Sequence, residues 1–239
     1  MANIAVICEG VSEFNIINHI VSRYLGDHSL NAVQPKINND TQAEEGGWSR
    51  VLDHCKDDDI EPIFQLNDYL IIQIDTDTSH ISPYDIPHNF TNGSAKSVPR
   101  LHAEIKARLM RELSSEIRKK YIHRIIFAIC HNEIECWLLP LFYTDNRACK
   151  TNNCIKVLNQ ELSRRNMDGI PDTNKNSSKA RKAYKAILKN MKAGDGYEGV
   201  KEVKPRREGE CFVGVKNGAT DVDHYPYEPL FQIFAREHP

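Results

Sequence analysis

Three short and mostly apolar runs lie within the first 130 residues of the chain, and polar or turn-forming residues follow each of them. The runs cover residues 4–8, 69–74 and 122–129. Apolar runs of this length, without alternation, are typical of strands buried on both faces of a parallel sheet. A weaker segment at 33–37 predicts one more strand, and residues 78–99, rich in Ser, Pro, Asn and His, predict an irregular surface loop.

Helical periodicity appears between these runs. Apolar positions three or four residues apart over 14–25 predict an amphipathic helix, with Ser12 as its N-cap and Gly26 at its end. A short helix is predicted around residues 52–55, and a long one over 101–117. Strands that alternate with helices predict an α/β fold, in which a mostly parallel sheet carries helices on both faces.

The sequence becomes more polar beyond the third predicted strand. We therefore predict an α/β domain over residues 1–145 and a helical, basic C-terminal extension over 146–239. Within the extension, residues 151–165 and 178–192 have the pattern of polar helices. Residues 179–207 contain ten Lys or Arg against three Asp or Glu, so the extension carries a local positive charge.

Overall composition is that of an ordinary globular protein. The chain has 239 residues, of which 40% are hydrophobic and 27% are charged, and this excludes a disordered chain or a collagen-like repeat. Its net charge of −2 predicts no polyanion partner from bulk charge alone. No apolar run is long enough to span a membrane, and residues 1–3 lack the positive flank of a signal peptide.

The seven cysteines form an odd set without any Cys-x-x-Cys pair. A disulfide scaffold and a zinc ribbon are therefore poor interpretations. Cys149, Cys154 and His131 could be combined into a metal site, but their spacing is irregular for zinc ligands. Together with the expected lack of a signal peptide, this pattern predicts a reduced protein of the cytoplasm.

Carboxylates follow all three of the buried strands. They are Glu9 and Glu13 after the first, Asp75 and Asp77 after the second, and Glu133 and Glu135 after the third. Ligands of an open parallel sheet bind beyond the carboxyl ends of its strands, and neighbouring strands lie about 4.8 Å apart, so these acids can converge. Crowded carboxylates repel one another, and the cation that best fits an all-oxygen cluster is Mg²⁺ or Mn²⁺. Two such ions can activate water to hydrolyse a phosphodiester.

Each acid also has a simpler interpretation. Carboxylates at strand ends can cap the following helix, and Glu13 is a first-turn residue that the helix dipole favours. Glu135 can face solvent at the start of its own helix, with residues 137–139 in the core. The coincidence of three strand ends, rather than any one pair, favours a metal centre.

The order of these acidic motifs along the chain resembles that of the Toprim family. Glu9-Gly10 follows a first strand and Asp75-x-Asp77 follows a later one, as in the Toprim domains of topoisomerases, primases and the overcoming-lysogenisation-defect (OLD) nucleases. The chain is similar in particular to small RloB-like Toprim proteins of bacterial anti-phage defence operons. These also begin with a strand and Glu-Gly-x-Ser/Thr-Glu, and carry an acid before Leu-Leu, as at Glu135. The resemblance covers residues 1–142 and implies a Toprim, Rossmann-like sheet.

The resemblance also implies roles for the acids. Glu9 corresponds to the Toprim glutamate, a metal ligand or general acid/base, and Asp75 and Asp77 correspond to Mg²⁺ ligands. Glu13 is a candidate ligand of a second ion. Glu133 or Glu135 would complete the cluster, and we favour Glu135 as the catalytic acid. The lysine that some Toprim nucleases place at the scissile phosphate has no clear counterpart, since no spacing selects among Lys96, Lys179 and Lys182.

Two segments are candidates for contact with nucleic acid. Four lysines lie on one predicted helical face at spacings of three and four, and Lys179 precedes them; the four are Lys182, Lys185, Lys189 and Lys192. Such a face suits the phosphate backbone, although a charge run is more commonly a solvated surface. The segment Gly46-Gly47-Trp48-Ser49 can bring backbone N–H groups or the Trp48 ring to a strand, or it can be a turn with Ser49 as a helix N-cap.

These observations predict a metal-dependent nuclease that acts on DNA or RNA, including tRNA, in bacterial anti-phage defence. A partner ATPase from the same operon and a homo-oligomer are implied by the resemblance. One alternative is a catalytically silent Toprim module that binds nucleic acid or a partner. A weaker alternative is a primase-like nucleotidyl transferase, for which 239 residues leave little room.

Overall fold

A computed structural model describes seven stretches of the chain: residues 2–24, 28–38, 41–42, 45–56, 60–143, 145–171 and 177–190. The chain divides into two compact units, and the division falls between Asn132 and Glu133.

The first unit alternates strands with helices. Its strands are β1 (Ala2–Ile7), β2 (His28–Gln34), β3 (Ile37–Asn38), β4 (Thr41–Gln42), β5 (Tyr69–Asp75) and β6 (Ile125–Cys130). Its helices are α1 (Val11–Tyr24), α2 (Trp48–Lys56), α3 (Ile60–Leu66), α4 (Val98–Glu112) and α5 (Ser115–Tyr121).

Four strands form one parallel sheet in the order β2-β1-β5-β6. Ile7 at the end of β1 lies opposite Ile72 of β5, and Asp75 at the end of β5 lies opposite Cys130 of β6. The short strands β3 and β4 form a separate antiparallel pair. The predicted α/β fold with a parallel sheet is confirmed.

The three apolar runs form β1, β5 and β6, and each of these strands buries side chains on both of its faces. On one face, alternate side chains of β1, β5 and β6 pack with α2, α3, α4 and α5 in a single core that includes Ile72, Ile105 and Phe127. The intervening residues, such as Val6 and Ile71, are also fully buried. This two-sided burial explains why these segments lack the alternation of a half-exposed strand.

Several predicted boundaries are wrong. The long helix over 101–117 is two helices, because Leu113 takes an extended conformation and the Ser114 hydroxyl caps α5 by accepting the backbone N–H of Ile117. Helix α2 already begins at Trp48, so Ser49 lies within it and is not its N-cap.

The strands also differ at their ends. Only residues 33 and 34 of the segment predicted at 33–37 belong to β2, which begins at His28 and ends before Pro35, a residue without a backbone N–H. Ile37 instead begins the short strand β3. Strand β6 begins at Ile125, after a single 3₁₀ turn. Helix α3 has no counterpart in the prediction, and Gly26 lies outside the described residues.

The second unit is helical over its described residues. A 3₁₀ helix, Ile134–Leu141, is followed by the short 3₁₀ turn Asn146–Cys149 and by two α-helices, α6 (Cys154–Arg164) and α7 (Ser178–Asn190). The two predicted polar helices are thus present; α6 is shorter than predicted, and α7 begins at the predicted residue. Lys192 lies outside the described residues.

A disulfide joins Cys136 of the 3₁₀ helix to Cys154, the first residue of α6. The expectation of a wholly reduced chain is therefore wrong for this pair, which lies 18 residues apart and forms no recognisable sequence motif. Cys8, Cys55 and Cys130 are free and buried. Among the described residues, no helix has both the length and the hydrophobicity to cross a bilayer.

Candidate functional site

The strand order places a topological switch point between β1 and β5. From β1 the chain moves to β2 on one side of the sheet, then crosses to β5 on the other side. In open parallel sheets, the crevice beyond the carboxyl ends of such a strand pair is the usual ligand site. Glu9 follows β1 by two residues, Asp75 is the last residue of β5, and Asp77 lies two positions further.

Hydrogen bonds tie these acids together. The backbone N–H of Asp75 donates to Oε1 of Glu9 at 2.7 Å. The Gln73 side chain links the same residues a second time, because its Oε1 accepts the Glu9 backbone N–H at 3.3 Å and its Nε2 donates to Oδ1 of Asp75 at 2.9 Å. The first two predicted strand ends therefore converge as predicted.

Gln73 was absent from the predicted site. It is fully buried within β5, where a polar side chain is costly unless its hydrogen bonds are satisfied. The sequence did contain a signal, since Gln73 is the one amide in the apolar run over 69–74. Its role is to fix the orientation of Glu9 and Asp75.

The acids create a strongly negative and partly buried environment. Glu13, in the first turn of α1, and Asp75 are 7% and 5% exposed. Burial raises the pKa of the Cys8 thiol, and the charges of Glu13, Glu9 and Asp75 raise it further. Burial likewise raises the pKa of Tyr84, with Glu9 and Asp75 as the next causes. Glu9 and Asp75 thus act on both of these neighbours, an arrangement that a bound cation would stabilise.

The turn after β5 is fixed to the end of β6. The backbone N–H groups of Thr76 and Asp77 donate to the Asn132 carbonyl at 3.1 and 3.0 Å, and the Asn132 N–H donates to the Thr76 hydroxyl at 2.7 Å. Thr76 is fully buried, whereas Asp77 is exposed. Asp77 therefore lies at the solvent-facing rim, two residues beyond Asp75.

Four histidines form a row beside this turn. Ring centroids lie 6.2 Å apart for His80 and His88, 6.5 Å for His88 and His131, and 5.8 Å for His131 and His102. Nε2 of His88 lies 2.6 Å from the Thr76 carbonyl oxygen. Burial lowers the pKa of His102 to about 4, with His131 as the second cause, and burial also lowers the pKa of His131. These two imidazoles are neutral at pH 7.

The glycine-rich segment lies beside Glu9. The Gly47 N–H donates to the Glu9 carbonyl at 2.7 Å, and Gly47 has a φ of +99°, a conformation that favours glycine. The ring of Trp48 is half-buried and packs 5.7 Å from that of Tyr84. The structure thus places Trp48 near the acids, while its contact with nucleic acid stays a prediction.

The other predicted residues belong to the second unit. Glu135 is fully buried and accepts a hydrogen bond from the Tyr184 hydroxyl, and Glu133 accepts the Ile155 backbone N–H at 3.3 Å. Their membership in the acid cluster stays a prediction. The predicted basic residues of α7 are exposed, opposite a buried face of Ala180, Ala183, Tyr184 and Ile187; they are Lys179, Lys182, Lys185 and Lys189.

The donor chemistry of Glu9, Asp75 and Asp77 fits Mg²⁺ or Mn²⁺, since all of their ligand atoms are carboxylate oxygens. In the described part of the chain, however, the carboxylate oxygens of these three acids do not all lie within 4.8 Å of one another. The side chains would therefore have to move closer together to bind a metal ion. Lys96, one candidate for a catalytic lysine, is paired with Glu104 at 2.6 Å. No protein-family model, curated protein or solved structure matches this chain.

Proposed function

We propose that this protein is a divalent-metal-dependent nuclease that hydrolyses phosphodiester bonds. The observation that carries the proposal is the direct link between Glu9 and Asp75 across the switch point of a parallel sheet. Two fully buried residues hold this pair in place. Gln73 acts through its side-chain amide, and Thr76 acts by fixing the turn that follows Asp75. Such preorganisation at an edge open to ligands suits a catalytic centre better than a surface cap.

Glu9, Asp75 and Asp77 would hold Mg²⁺ or Mn²⁺, and Glu13 would add negative charge from the start of α1. When bound, the metal supplies Lewis acidity and an activated water for attack on the phosphorus. The protein itself fixes Glu9 by the Asp75 N–H and orients Asp75 by Gln73. Burial lowers the pKa of His131 and so disfavours a competing positive charge on this imidazole.

The exposed lysines of α7 support a polynucleotide substrate, because a basic helical face contacts phosphates without sequence selectivity. DNA and RNA, including tRNA, both fit this chemistry. The resemblance to small Toprim proteins of defence operons extends the proposal to bacterial anti-phage defence in the cytoplasm. A partner ATPase from the same operon would then control cleavage.

The test is an incubation of the purified protein with plasmid DNA, single-stranded DNA and total tRNA, in Mg²⁺, Mn²⁺ or EDTA. We expect cleavage that requires metal and is lost in both Asp75→Asn and Glu9→Gln. Glu116→Gln, which neutralises an exposed acid of α5, is the matched control and should cleave like the wild type. Cleavage that persists in EDTA or in Asp75→Asn would refute the proposed centre.

A catalytically silent module that binds nucleic acid is the second candidate. The spacing of Glu9, Asp75 and Asp77 favours this candidate, because their carboxylates do not lie close enough together to form a metal-binding group in the described part of the chain. This candidate predicts that the protein retards polynucleotides in a gel without cleaving them. Asp75→Asn would then leave binding unchanged.

A further inference from the structure

We propose that reduction of the Cys136–Cys154 disulfide creates a binding site for a Zn²⁺-like ion in the second unit, with Glu133 as the third ligand. This site lies wholly within residues 133–154 and does not rest on the proposed nuclease activity. Its ligand types also differ from those of the acid cluster, because it combines two sulfurs with one carboxylate.

The three ligand atoms are already gathered. One carboxylate oxygen of Glu133 and the two sulfurs all lie within 4.8 Å of one another. Among the described residues, Glu133, Cys136 and Cys154 are the group of three potential metal ligands whose ligand atoms lie this close together. A metal ion bound to two thiolates and one carboxylate lies about 2.0–2.3 Å from each ligand atom. The ligand atoms of such a site therefore also lie within 4.8 Å of one another.

Local structure explains the convergence. Glu133 and Cys136 are three residues apart at the start of a 3₁₀ helix, where side chains at i and i+3 lie on the same face. Cys154 begins α6, and the next residue, Ile155, donates its backbone N–H to Glu133 at 3.3 Å. The carboxylate is therefore held at the beginning of the helix that supplies the second sulfur.

Burial shields both sulfurs from bulk solvent. Cys136 is 5% exposed and Cys154 is fully buried, whereas Glu133 is partly accessible. A metal would therefore approach from the side of Glu133, with water as its fourth ligand. Sulfur donors favour Zn²⁺ or Co²⁺ over Mg²⁺, which prefers an all-oxygen shell.

The redox step balances with a dithiol as reductant. The dithiol transfers two electrons and two protons to the disulfide, which becomes two thiols, and the reductant leaves as its own disulfide. Metal binding then releases the two thiol protons and forms two metal–sulfur bonds. In the oxidised protein the sulfurs are bonded to each other, so they cannot serve as thiolate ligands.

The two states connect the same elements in different ways. The disulfide joins the 3₁₀ helix Ile134–Leu141 to α6 covalently, and the metal would join them through coordination after reduction. The metal would thus preserve the cross-link in a reducing compartment, where a disulfide does not persist.

The experiment is a Co²⁺ titration of the full-length protein before and after treatment with a dithiol, followed by removal of the reductant under nitrogen. Co²⁺ bound to thiolates gives a charge-transfer absorption band that oxygen and nitrogen ligands do not. We expect no band from the oxidised protein and a saturable band, at one ion per chain, from the reduced protein. Zn²⁺ should displace the Co²⁺ and bleach the band.

Variants assign the ligands. Cys154→Ser should abolish the band, and Glu133→Gln should keep it while weakening Co²⁺ binding, because both thiolates remain. Cys55→Ala, which removes a free buried cysteine, should leave the titration unchanged. The comparison of oxidised with reduced wild type needs no substitution, so it stands even where a variant folds poorly. No band in the reduced protein, or a band that survives Cys154→Ser, would overturn the proposal.

Discussion

Replacement of His102 by glutamine should make the protein less sensitive to acid. Burial within α4, together with His131, lowers the pKa of His102 from 6.5 to about 4. The unfolded chain therefore binds a proton at this position that the folded chain does not bind, and folding stability falls as the pH drops below 6.5. Integration of this linkage gives a loss of about 2 kcal/mol between pH 7.5 and pH 5 from this single group.

The assay is urea unfolding, followed by circular dichroism, of the wild type and His102→Gln at both pH values. Carboxylates and the other histidines are present in both proteins, so the difference in pH dependence reports His102 together with its interaction with His131. We expect the variant to lose about 2 kcal/mol less than the wild type on acidification. His123→Gln, at an exposed position, should behave like the wild type. An identical pH dependence in wild type and His102→Gln would refute the reasoning.

Three further substitutions probe other parts of the account. Gln73→Leu should abolish metal-dependent cleavage, because it removes both hydrogen bonds by which the Gln73 side chain connects Glu9 to Asp75, and should cost about 1–3 kcal/mol in urea unfolding. Ile105→Ala, at a fully buried core position, should destabilise the fold by about 2–5 kcal/mol in the same assay. Joint replacement of three α7 lysines by alanine should weaken polynucleotide binding uniformly across sequences and reduce its salt dependence; they are Lys182, Lys185 and Lys189.

The core substitution and the lysine substitutions each have a control variant in the chain. Leu66→Ala, at a side chain that is 79% exposed, should change stability by less than about 0.5 kcal/mol. Lys119→Ala, an exposed lysine of α5, should leave polynucleotide binding unchanged. Unimpaired cleavage by Gln73→Leu would show that the orientation of the two acids does not matter. Equal effects of Ile105→Ala and Leu66→Ala would contradict the assigned core, and unaltered binding by the triple variant would leave α7 as a solvated face.

The sheet could be predicted because three of its four strands carry a simple pattern. β1, β5 and β6 bury both faces, so their apolar runs stand out, and the acids that follow the first two mark the strand ends. The order of the strands was not predictable from these runs. It is that order, with β1 beside β5, that brings Glu9 into contact with the Asp75 backbone.

Features that depend on tertiary contact escaped prediction. Cys136 and Cys154 are brought together by the path between the 3₁₀ helix and α6, which no local pattern encodes. His102 becomes important only because α4 packs near the end of β6, beside His131. The break before α5 was hidden because apolar residues continue at intervals of four through Leu113, while the cap at Ser114 is decided by one side-chain hydrogen bond.

Direct measurement of Mn²⁺ binding tests the central claim most directly, because it needs neither a substrate nor a partner protein. Electron paramagnetic resonance of free Mn²⁺, titrated with the oxidised protein, reports the ion that the protein removes from solution. The account predicts saturable binding by the wild type and Glu116→Gln, and loss of that binding in Glu9→Gln and Asp75→Asn. Equal Mn²⁺ binding by the wild type and Asp75→Asn, or none by the wild type, would contradict a metal centre at the switch point between β1 and β5.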